Sequence, residues 1–190
     1  MGSESIKIKL IDTAISELIN GRWEQLTIKV LSTKTKIKVS QINKISSSKE
    51  GLLDLWSQNI NLKILEKVTL QELEEVTIKE RILELMLCRL DVLSEHKKEI
   101  LAFMKLARRS GIESIRAFER IKKSMEYILN LSGAKMAGKM GALKIIVLSL
   151  IWVITFKEWR DSEEDDDSSV MSKLDKRLSI AEKLNNSLFV

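Results

Sequence analysis

Apolar residues recur every three or four positions along most of this chain, the spacing that gives a helix one buried face. Ile8, Ile11, Ile15, Leu18 and Ile19 carry the pattern through a first helix. Ser5 opens it, and Asn20-Gly21 closes it with residues that tolerate the left-handed conformation. Trp23 and Leu26 fall in the connection, and Thr27 is placed to cap a short second helix holding Val30 and Leu31. A third helix is expected over Val39 to Ile45. Ser47-Ser48-Lys49-Glu50 then restarts the chain as a fourth, carrying Leu52, Leu53, Leu55 and Trp56. Short helices feeding a longer one in this way suggest a helix-turn-helix module over residues 1–57.

Residues 58–190 read as one helical bundle. Thr69 to Leu93 places Val76, Ile78, Ile82, Leu83, Met86 and Leu90 at helical spacing. Glu95 to Arg109 follows with Ile100, Leu101, Phe103, Met104 and Leu106, and Ile112 to Leu131 with Ile115, Phe118, Ile121, Met125, Ile128 and Leu129. A small-residue link, Ser132 to Gly141, leads into Ile145–Phe156, which is apolar on every side and bounded by Lys144 and Lys157. That run covers about a dozen residues where a membrane span needs roughly 20. It is therefore expected to be a core helix with partners on more than one face. Val170 to Leu188 forms a last amphipathic helix through Leu174, Leu178, Ala181, Leu184 and Leu188.

Composition strengthens the helical reading. The 190 residues include no Pro and only seven Gly, too few turn formers for a sheet protein, while 44% are hydrophobic, enough for a real core. The expected class is all-α. The net charge is +5, and residues 1–50 carry eight Lys and one Arg against five acids, which concentrates positive charge in the helix-turn-helix region. Glu158–Asp167 carries seven acids and one Arg, the composition of a solvated loop. The opening segment lacks the apolar core of a secretory signal, so a cytoplasmic location is expected.

Catalytic chemistry finds little to work with. Gly133 to Met140 fits G-x-x-x-x-G-K, but Met140 replaces the hydroxyl residue that ligates magnesium, and the preceding segment is helical rather than a strand. One Cys excludes a disulfide within the chain, and one His plus one Cys argues against a structural zinc site. His96 has no ligand partner nearby in sequence, and Cys88 lies on an apolar helix, consistent with packing. The expectation is a non-enzymatic protein without a cofactor.

Trp23-Glu-Gln-Leu26-Thr27-Ile-Lys29-Val-Leu31, continued by Ser48-Lys49-Glu50-Gly-Leu52-Leu53, resembles the N-terminal module of TetR-type regulators. Within it, Lys36 stands where the turn usually has Gly, Lys38 where Ser is usual, Asn43 where Tyr is usual and Ser46 where Phe is usual. Lys79-Glu-Arg81-Ile-Leu, Ser94-Glu-His96-Lys-Lys-Glu-Ile100-Leu101 and Gly141 to Trp159 are in turn similar to TetR-fold accessory proteins of ubiquinone biosynthesis. So is the ending through Leu174-Asp175-Lys176-Arg177-Leu178. That second resemblance implies a TetR-like fold that binds an isoprenoid lipid, a pathway hydroxylase as partner, a degenerate DNA-binding module and at most peripheral contact with a membrane.

Three residue sets follow. An apolar tunnel for an isoprenoid chain is assigned to Met86, Leu90, Leu101, Met104, Phe118, Met125, Ile128 and Ile146. Under the alternative reading, a dimeric transcriptional regulator, Lys29, Lys36, Lys38 and Lys44 neutralise phosphates while Gln41 and Asn43 read bases. A two-fold dimer is expected to pair the hydrophobic helix and the last helix with their copies, through Trp152, Trp159, Leu174 and Leu178.

Overall fold

The computed structural model describes residues 2–68, 73, 75–161 and 167–184. Among the described residues there are nine helices and no strand, so the chain is all-α. They are α1 (Ser3–Ile19), α2 (Ile28–Thr35), α3 (Val39–Ile45), α4 (Lys49–Lys67), α5 (Ile78–Ser94), α6 (Lys97–Ala107), α7 (Gly111–Leu131), α8 (Gly138–Asp161) and α9 (Asp167–Leu184). Residues 185–190 and most of the acidic run, 162–166, lie outside the described residues.

The chain divides into two compact units: Met1–Asn59 with His96–Arg116, and Ile60–Glu95 with Ala117–Val190. The first unit thus takes in α6, which the sequence places in the bundle. The reason is an apolar face: Leu106 belongs to the same buried cluster as Leu10, Ile11, Leu18, Trp23 and Leu53, and Phe103 packs against it. Trp56 stacks on Phe103 at 4.8 Å and meets His96 edge-on at 5.8 Å. α1 packs on α2 and α6, and α2 on α3.

In the second unit α5, α8 and α9 pack on one another. α5 starts at Ile78, where Thr77 and Glu80 form a reciprocal capping box; Thr69, where the sequence reading opens this helix, lies outside the described residues. Its inward residues include Ile82, Leu85, Met86, Leu90 and Leu93. α8 begins at Gly138, seven residues before the all-apolar stretch, and spans 24 residues.

Within its own chain α8 is packed on one face and leaves an apolar arc exposed. Leu148, Ile151, Trp152 and Thr155 are buried, whereas Leu143, Ile146, Leu150, Val153 and Ile154 are exposed. At 100° per residue those five fall within roughly a third of the helix circumference, opposite the packed face. By length and composition α8 also suits a bilayer. Its packed face nevertheless carries Lys144, Ser149 and Thr155, which is the pattern of a helix packed on protein.

Candidate functional site

The helix-turn-helix is assembled without glycine. Thr27 accepts a hydrogen bond from the Val30 amide and starts α2, which ends where Lys36 takes the left-handed conformation at φ 61°. Ser32 Oγ donates to the Ile37 carbonyl and Thr35 Oγ1 to the Leu31 carbonyl, both at 2.6 Å, so side chains fasten the turn that Gly usually relaxes. Ile37 and Ile42 are buried and anchor α3. Ser46, standing where an aromatic residue is usual, turns inward and donates to the Ser48 carbonyl at 2.7 Å.

With Ile42 turned inward, the opposite side of α3 faces solvent. Lys29, Lys36, Lys38, Gln41, Asn43 and Lys44 are all exposed on α2, the turn and α3. They form a cationic surface interleaved with two amide side chains that have both donors and acceptors for base edges. Two other lysines of this unit are engaged in structure. Lys34 pairs with Glu17 at 3.0 Å, and Lys49 donates to the Trp23 carbonyl at 2.7 Å with its ammonium 4.9 Å from the indole centroid. Glu17 is almost buried. Hydrogen bonding from Arg22 first, then from Lys34, outweighs its desolvation and holds its pKa down at about 2.

The eight residues assigned to a lipid tunnel are divided between the two units. Met86, Leu90, Met125 and Ile128 are buried in the second unit, and Phe118 is half-buried there. Leu101 and Met104 belong to the first unit, where α6 turns Ile100 and Leu106 inward and leaves Leu101 exposed. Ile146 is exposed on the outer arc of α8. A solvent-open cleft of about 200 Å³ lies in the first unit, lined by Leu18, Trp23, Ala102, Leu106, Lys105 and Arg109 among others, and none of the eight borders it.

Three of the four residues assigned to a dimer contact lie in the interior of the chain. Trp152, Leu174 and Leu178 are buried within their own chain, so they have no surface to offer a partner. Trp159 is half-buried and continues an aromatic ladder from Trp152 through Phe156, with centroid spacings of 6.0 and 5.6 Å. The exposed apolar area lies instead on the arc of Leu143, Ile146, Leu150, Val153 and Ile154.

Helical periodicity also passes over a polar group inside the second unit. Arg89 is 6% exposed; its Nη1 donates to Asn61 Oδ1, and its guanidinium carbon sits 5.2 Å from the Trp152 ring centroid. The available signal is position: Arg89 shares the inward phase of Ile82, Met86 and Leu93 on α5.

Features with catalytic appearance are structural. Gly133 to Met140 links α7 to α8, two helices, and Gly133 and Gly138 serve positive φ there. Burial pushes the Cys88 thiol up, away from a reactive thiolate. Among the described residues no group of three His, Cys, Asp or Glu side chains is placed to hold a metal ion.

These helices define an all-α, TetR-like fold. Among solved structures the chain is similar to the TetR transcriptional regulator from Nitrosomonas europaea ATCC 19718, with a TM-score of 0.63 and 17% identity over 94% of this chain and 98% of that one. Neither a protein-family model nor a curated protein matches the sequence.

Proposed function

We propose that the chain is a DNA-binding regulator of the TetR type, acting as a dimer and answering to a ligand held in the second unit. The observation that carries this reading is the surface of α2, the turn and α3, where Lys29, Lys36, Lys38, Gln41, Asn43 and Lys44 face solvent together. Four cations on α2, the turn and α3, with Gln41 and Asn43 on α3 among them, are arranged to meet phosphate and base edges together. The fold neighbour, itself described as a transcriptional regulator, supports the same reading. A dimer sets two such surfaces against a two-fold symmetric site, and the apolar arc of α8 is the surface offered to the second copy.

Selection from a random duplex library at physiological salt tests the proposal. The expected result is a palindromic site bound at least about 1,000-fold more tightly than bulk DNA. Binding that follows total charge with no preferred sequence overturns it.

A second reading, an isoprenoid-binding accessory protein of ubiquinone biosynthesis with a hydroxylase partner, is favoured by the buried Met86, Leu90, Met125 and Ile128 in the second unit. Met and branched apolar side chains repack around a flexible chain at low cost. Native mass spectrometry of the purified protein separates the two readings. Co-purified isoprenoid together with failure to select DNA favours the accessory protein.

A further inference from the structure

We infer that the second unit recognises an organic monocarboxylate with an apolar body, its headgroup held by Arg89. The inference rests on the reading of that unit as the ligand-binding half. Five other arginines have a carboxylate partner: Arg22 with Glu17, Arg109 with Glu24, Arg116 with Glu113, Arg160 with Asp161 and Arg177 with Glu158. Arg89 is the most buried arginine, yet its contacts are a neutral amide, Asn61, and the face of an indole, Trp152. Its Nε has no acceptor among the described residues.

An isolated charge taken out of water costs several kcal/mol, and folded chains offset that cost with a counter-charge. Burial lowers the Arg89 pKa only to about 10, so the guanidinium stays protonated at neutral pH and the cost is not escaped by losing the proton. A Met at this position would fill similar volume at no electrostatic penalty. A ligand that brings the missing negative charge accounts for Arg instead.

The geometry selects the kind of anion. Nη1 is engaged by Asn61 and Trp152 lies against the guanidinium, while Nε is the donor without an acceptor among the described residues; Nε with the neighbouring Nη2 forms the edge that grips a carboxylate through two parallel hydrogen bonds. One guanidinium balances one negative charge, which suits a carboxylate better than a phosphate dianion. The surroundings are hydrocarbon. Met86, Leu90 and Leu93 share the face of α5 around Arg89, and Ile60 and Ile64 flank Asn61 on α4, all buried. A polar acid would leave its other groups unpaired there.

The test uses the full chain with decanoate and 3-phenylpropanoate as probes and decanol and 3-phenylpropanol as their uncharged counterparts, read by calorimetry and thermal shift. At least one acid is expected to bind saturably and at least tenfold more tightly than its alcohol. Arg89→Met is expected to melt at or above the wild-type temperature in the absence of probe while losing at least about 30-fold in affinity for the acid. Arg89→Lys, which keeps the charge and loses the fork, should fall between the two. Acids that bind no better than their alcohols, or acid affinity unchanged in Arg89→Met, overturn the inference. If Arg89→Met fails to fold, unchanged acid affinity in Arg89→Lys overturns it. DNA selection on the same preparations keeps the two readings separate. Selection without acid binding removes the monocarboxylate and leaves the regulator, and Arg89-dependent acid binding without selection does the reverse.

Discussion

Glu17 on α1 receives Lys34 from α2 at 3.0 Å while Arg22 closes on the same carboxylate at 2.9 Å. The acid is nearly buried, whereas the two bases are about half exposed, so the anion depends on its partners more than they depend on it. Glu17→Gln is expected to cost about 1–2 kcal/mol, less than a fully buried pair because solvent screens the two cations. Urea unfolding followed by circular dichroism measures it.

The same carboxylate sets an acid limit. Its folded pKa, about 2, lies below the ordinary value of 4.5, so the unfolded chain takes up the proton first. The stabilisation is complete above about pH 5 and is lost as pH falls from 4.5 toward 2. Wild type is expected to lose stability through that window more steeply than Glu17→Gln, whose curve lacks this contribution. Parallel curves for the two proteins would refute the assignment.

Gly141 and Gly111 offer a matched comparison at helix starts. A Cβ on Gly141 would lie 2.7 Å from the Met136 carbonyl carbon and closer still to its oxygen, both backbone atoms that cannot step aside. A Cβ on Gly111 would meet nothing within 4 Å. Gly141→Ala is therefore expected to destabilise by about 1–3 kcal/mol. Gly111→Ala should be neutral or stabilising by up to about 1 kcal/mol, since Ala is the better helix former. Melting temperatures of the two variants check both directions.

Lys36 holds φ 61°, a conformation that costs a side-chain-bearing residue about 1 kcal/mol. Lys36→Gly relieves that strain but gives the unfolded chain more freedom, so a net gain of about 0.5 kcal/mol is expected. Under the regulator reading the same change removes a phosphate contact. It should lower the salt slope of DNA binding by about one while leaving the preferred sequence unchanged.

The ends of elements were legible where local chemistry marks them, and the facing of helices was not where every side is apolar. Thr27 before α2 and the Val39–Ile45 span of α3 follow from capping and from single buried anchors, Leu31 and Ile42. The reciprocal bond between Thr77 and Glu80 marks the start of α5, a signal that apolar spacing alone does not carry. On α8 hydrophobic periodicity carries no phase: Leu150 points out and Trp152 points in although both are apolar. The phase is set by polar residues that face inward. Lys144 Nζ donates to the Lys135 carbonyl at 3.0 Å, and Thr155 accepts from Arg177. For the candidate surfaces, Gln41, Asn43 and Lys44 were legible because one buried anchor, Ile42, fixes the exposed side of a seven-residue helix, and Lys29, Lys36 and Lys38 because lysine is rarely buried. Arg89 was not, since nothing in spacing distinguishes a buried arginine from a surface one.

The outer arc of α8 separates a partner-facing role from a packing role within one helix. Leu150 and Val153 are exposed at 51% and 40%, so replacing both with Glu leaves the interior of the chain untouched. If a second copy covers this arc, Leu150→Glu with Val153→Glu places four like charges in one two-fold contact, and their repulsion and desolvation outweigh the apolar area that remains. Wild type is expected to sediment at twice the chain mass of 21.8 kDa and the double variant at the chain mass, with unchanged helical content. Leu174→Ala should do the opposite. That side chain is fully buried against its own chain, so its loss leaves a cavity costing about 2–5 kcal/mol and does not act through the contact between copies. A double variant that remains dimeric would remove α8 from the contact, and a dimer abolished by Leu174→Ala without loss of chain stability would return the contact to α9.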